Sequence, residues 1–98
     1  MVKVLKNKDH IEISGHALFD KNGRDIVCAS VSSIVITSVN GILLIDDKAI
    51  KCEDSSGFVS IDILKHNKVV DSLILNMINL LKELEEQYKK NVHVEEVD

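Results

Sequence analysis

Residues 25–45 read DIVCASVSSIVITSVNGILLI, and the choice between strand and helix here decides the fold. Composition argues for strand, because Val, Ile and Thr are stiff at χ1 and lower helix propensity. Spacing argues for helix. Val27, Val31, Ile34, Val35 and Ile42 fall on one side at 3.6 residues per turn, while Ser30, Ser33, Thr37 and Asn40 form a polar stripe. The period outweighs the propensity, since packing of an amphipathic face supplies most helix stability in a folded protein. A helix is therefore expected within Ile26 to Ile45, N-capped by Asp25, with Gly41 as its terminator.

Working outward, Met1 to Lys6 alternates with Val2 and Val4 on one face, and Asn7-Lys8-Asp9 is a turn signal. Ile11 and Ile13 then alternate with His10, Glu12 and Ser14, which makes a β-hairpin. Ala17 to Arg24 reads as a loop broken at Asn22-Gly23. Beyond the helix, Ala49 to Glu53 is a weak strand and Asp54-Ser55-Ser56-Gly57 a turn. Phe58 to Ile63 alternates cleanly and closes a second hairpin. A long helix is expected from Asn67 to Lys90, with an apolar stripe of Val70, Leu73, Ile74, Met77, Ile78, Leu81, Leu84 and Tyr88. Asn91 breaks it, and Val92 to Glu95 is a last strand.

The order is β-β-α-β-β-α-β. Two amphipathic helices need one sheet face to cover, so the expected architecture is an α+β two-layer sandwich. Both helices pack on one face of a mostly antiparallel or mixed sheet. Ninety-eight residues leave room for one core, so the whole of 1–98 is one domain.

Composition narrows the function. Apolar residues make up 45% and charged residues 29%, as in an ordinary globular protein. Twelve Lys and Arg against sixteen Asp and Glu give a net charge of −4. No basic stripe marks a nucleic-acid surface, and Phe19, Phe58 and Tyr88 are too few for base stacking. No uninterrupted apolar run approaches the ~20 residues of a membrane span. No basic segment leads into an apolar one at the start, so no signal peptide is expected. Two cysteines suit neither a disulfide scaffold nor a structural zinc site. The expectation is a cytoplasmic protein with reduced thiols.

Chemistry concentrates between Gly15 and Cys28. Cys28 stands three residues after the capping Asp25, in the first turn of a helix. Unpaired backbone N–H groups and the positive end of the macrodipole favour a thiolate there. The same N–H groups can hold a developing oxyanion. His16, twelve residues upstream across a glycine-containing loop, can complete the activation. The bland alternatives are a small buried Cys28 and a His16 on a surface loop. A Cys–His metal site lacks a second pair of ligands. Cys52 has no companion signal and reads as strand packing. His10, His66 and His93 sit in polar contexts and read as solvated. Glu83, Glu85 and Glu86 form a solvated face or attract a basic partner.

The ordered string Gly15-His16-Ala17, then Gly23, then Asp25-Ile26-Val27-Cys28-Ala29-x-Val31-Ser32 resembles the signature of the ribosomal-processing cysteine protease family, Prp. Ser38-Val39-Asn40 and the final Leu84-Glu85-Glu86-Gln87-Tyr88 extend the likeness along nearly the whole chain. The resemblance implies a homodimeric cytoplasmic endopeptidase of α/β fold. It would remove an N-terminal extension from a basic ribosomal protein precursor, the twenty-seventh of the large subunit, and so support ribosome assembly.

The resemblance puts the nucleophile on Cys28 and the general base on His16, with Ser32 assisting. Gly15 and Gly23 match the glycines bounding the family's mobile loop, whose interior, Leu18 to Asn22, is less glycine-rich here. Asp25 either orients His16 or only caps the helix. Ser32 either bonds to the site or back to a helix carbonyl. No metal, cofactor, membrane or direct nucleic-acid contact is implied. The runner-up reading is a catalytically silent binding module for a ribosomal protein or assembly factor. A purely structural dimerisation domain is a third.

Overall fold

In a computed structural model, which describes residues 1–15, 26–55 and 57–97, the elements follow the expected order. They are β1 (Val2–Lys6), β2 (His10–Ser14), α1 (Ile26–Ile45), β3 (Ile50–Ser55), β4 (Phe58–Ile63), α2 (Lys68–Gln87) and β5 (Val92–Glu96). The five strands form one open sheet in the order β3-β4-β2-β1-β5. All neighbours are antiparallel except β1 and β5. Because β2 and β3 both oppose β4, they run the same way, and α1 is the crossover between them. By the same reasoning α2 joins the parallel pair β4 and β5.

Strand alternation puts the buried apolar positions on one face, while Leu5 and Phe58 alternate onto the other. Val4 pairs with Ile13 and Val94, Ile11 with Ile61, and Ile63 with Ile50. Val27, Val31, Val35, Val39 and Ile42 of α1 and Val70, Ile74, Met77, Ile78 and Leu81 of α2 complete this core. The opposite face carries Lys3, Glu12, Ser60 and Asp62 toward solvent. The two-layer sandwich thus follows from period-2 strands and period-3.6 helices sharing one apolar layer.

Several boundaries differ from the sequence expectation. Gly41 does not terminate α1, which runs on to Ile45. Ile42, fully buried, anchors the extra turn, and packing overrides the glycine's cost. The helix is instead closed by Asp46, whose N–H donates to the Ile42 carbonyl (2.9 Å). The second helix ends at Gln87 rather than Lys90, because Tyr88 leaves the helical region (φ −133°, ψ 58°). β3 continues through Asp54 and Ser55, which the sequence reading put in the turn. Ser55 still pairs with Phe58, so the connection is only residues 56–57.

α1 also meets, by length and composition, the requirement for a membrane span. Counting uninterrupted apolar runs missed this. Its valine face is buried against the sheet, as a core helix requires.

Candidate active site

The site lies at the end of the sheet where β2 and β3 finish and β1 and β4 begin. Cys28 and Ser32 are one turn apart on the same side of α1, and both line a cavity of about 210 Å³. Gly15, just past β2, forms part of the rim. Asp54, Ser55 and Phe58 of the second hairpin form the facing wall.

Gly15 has a backbone reason to be glycine. Its φ is +89°, and a Cβ there would overlap the Met1 carbonyl oxygen. Its N–H donates to the Gly57 carbonyl (3.0 Å), tying the first hairpin to the second across the cavity rim. Gly57 is itself at φ +74°.

Cys28 is half-buried and occupies the first turn of α1. Neither cysteine forms a disulfide. Ser30 and Ser38 donate back to the Ile26 and Ile34 carbonyls (both 2.7 Å). Ser32 does not: among the described residues its hydroxyl makes no hydrogen bond, and it faces the cavity. Cys52 behaves differently from Cys28. It lies on the core face of β3, and burial, followed by the charge of Asp54, pushes its thiol above the usual value.

Thus Cys28, Ser32 and Gly15 come together. His16, Gly23 and Asp25 lie outside the described residues. Among the described residues, no group of three or more His, Cys, Asp or Glu side chains converges as metal ligands would.

The remaining histidines are not simply solvated, as the sequence reading held. His10 donates to Asp62 (2.6 Å) and Glu12 (3.1 Å). His66 donates to Asp9 (2.6 Å) and Asp71 (2.8 Å). With a carboxylate on each ring nitrogen, both imidazoles are held above their ordinary pKa. His93 sits near Glu85 (3.4 Å). Glu85 is likewise more than a solvated charge: it accepts the Val94 N–H (2.9 Å) and ties α2 to β5.

Comparison with known proteins decides the family. The family described as Cysteine protease Prp matches residues 1–93. The chain belongs to the Prp family of cysteine proteases.

A Prp relative from Staphylococcus aureus (strain Mu50), named ribosomal processing cysteine protease Prp, is 33% identical over 85 residues. The match covers 84% of this chain and 80% of the relative. The Bacillus subtilis (strain 168) protein of the same name is 31% identical over 91 residues, covering 85% and 80%. Among solved structures, S. aureus Prp with a covalently linked product peptide superposes with a TM-score of 0.93 at 24% identity. It covers 99% of this chain and 100% of that one. The same protease with a substrate peptide gives 0.80, covering 98% and 97%. At that identity the likeness shows that the Prp fold is shared.

The sequence reading missed the hairpin wall of this cavity. The signal was available in β3. Ile50 and Cys52 alternate onto the core face, and Asp54 continues that alternation with a carboxylate.

Proposed function

We propose that this chain is an endopeptidase that removes an N-terminal extension from the twenty-seventh protein of the large ribosomal subunit, in the cytoplasm, as a homodimer. Cys28 is the nucleophile. His16 takes its proton, and the thiolate attacks the scissile carbonyl carbon. The first-turn N–H groups of α1 stabilise the oxyanion. As the C–N bond breaks, His16 returns the proton to the leaving amine, and water then hydrolyses the thioester. Ser32 supports the site from one turn below. Gly15 and Gly23 bound the loop that carries His16. Asp25 either orients His16 or caps the helix, the cap being worth ~1 kcal/mol. No metal, cofactor, nucleic acid or membrane enters this scheme.

One observation carries the reading: in a member of a cysteine protease family, Cys28 stands in the first turn of α1 and lines a cavity with Ser32. The names of the relatives support the ribosomal substrate. The exposed Ile26 and Leu80 beside the α1–α2 groove suit a partner subunit.

Mass spectrometry of the mature ribosomal protein's N-terminus, with the gene present, depleted, and complemented by Cys28→Ala, tests the substrate. The extension should persist in the last two. If it is trimmed equally in all three, the proposal fails. A monomeric mass by light scattering at micromolar concentration removes the homodimer.

A further inference from the structure

We propose that Asp54 is a specificity-determining residue, whose carboxylate receives a Lys or Arg side chain of the peptide bound beside Cys28. This deepens the endopeptidase reading and rests on it.

The argument starts from strand geometry. Side chains on β3 alternate, and Ile50, Cys52 and Asp54 share one face. Their partners on β4 are Ile63, Ile61 and Val59, all on the core side of the sheet. Asp54 therefore stands in a row of apolar positions, on the face that the helices cover. It escapes burial only because this end of the sheet opens into the cavity. A carboxylate on an apolar face is costly unless water or a cation meets it.

Among the described residues no hydrogen bond or ion pair reaches Asp54. It is also the one charged group among the described residues that line the cavity. The walls around it include Val2, Ile13, Val31, Val35 and Val59. A peptide laid along them displaces water, which strengthens the pull of a lone carboxylate on a cation and its rejection of a carboxylate. The chemistry that fits is an apolar peptide segment with one basic side chain directed at the β3–β4 hairpin.

The test uses fluorogenic peptides spanning the N-terminal junction of the ribosomal protein, each position in turn replaced by Lys, norleucine or Glu. At one position the wild type should cleave the Lys peptide best. Asp54→Asn should lower kcat/KM for that peptide roughly fivefold and leave the norleucine peptide unchanged. Asp54→Lys should invert the Lys-over-Glu preference.

Cleavage with the same preferences in all three proteins overturns the inference while leaving the endopeptidase intact. If the wild type cleaves no peptide, the endopeptidase reading fails instead. The same peptides are then titrated onto Cys28→Ala and Cys28→Ala/Asp54→Asn by fluorescence anisotropy. Binding that is absent, or indifferent to Asp54, also overturns the inference.

Discussion

The two ends of the sheet are built to different rules. At the end away from Cys28, charges are paired. His66 bridges Asp9 and Asp71, Lys65 reaches Asp46 (3.0 Å), and Lys82 meets Glu96. Asn67 caps α2 by accepting the Val70 N–H (3.0 Å). At the Cys28 end, an uncharged helix begins beside two glycines at positive φ, and Asp54 has no partner among the described residues. Surface pairs and caps hold one end in register. The other lines a cavity with Cys28, Ser32 and Asp54. The difference teaches that one small core can carry paired charges at one end and an open cavity at the other.

The largest effect should come from the open end. Cys28→Ala should abolish peptidase activity, by ~10³-fold or more, while leaving the circular dichroism spectrum unchanged. Residual turnover near wild type would move the nucleophile elsewhere. In the wild type, iodoacetamide should modify Cys28 faster than Cys52, whose thiolate is disfavoured by burial and by Asp54. Equal rates by peptide mapping would erase the distinction between the two thiols.

Gly15→Ala should come next, costing about 1–3 kcal/mol in urea denaturation, because Ala strains at that φ and meets the Met1 carbonyl. An unchanged midpoint would mean the rim relaxes freely.

At the paired end, Asn67→Ala should cost ~1 kcal/mol by losing one cap. The smallest effect is pH-dependent. The raised pKa of His66 means its carboxylate pairs stabilise fully below the ordinary value of 6.5. That contribution is lost as pH rises through the folded-state value. The Tm gap between wild type and His66→Gln should therefore be wider at pH 6 than at pH 9. A gap independent of pH would show that the pairs do not matter to folding.

Much of this contrast was legible in the residues. α2 announces itself because its stripe and its charges are separated by period, and Asn67 is a recognisable cap. α1 was readable only by ranking spacing above propensity. Its end was misjudged because Gly41 looks like a terminator until Ile42 is seen to be buried. Cys28 and Ser32 were visible as an i, i+4 pair near a helix start.

The second hairpin's part in the cavity was overlooked, although Asp54 continues the alternation of Ile50 and Cys52. Asp54, Ser55 and Gly57 look like any polar turn until sheet order brings β4, with β3 on its other side, against β2. One carboxylate on each of His10 and His66 comes from far along the chain and was hidden for the same reason. Asp62 and Asp9 lie 52 and 57 residues away along the chain from their histidine partners.

The parallel pairing of β1 with β5 has a consequence for how the molecule is made. Val2 and Val4 are made before β2, β3 and β4, yet their neighbours Val92 and Val94 are made after them. Until then, one side of the first strand offers unpaired N–H and C=O groups to any passing chain. Until β5 is made, an inner strand of the sheet therefore serves as an edge.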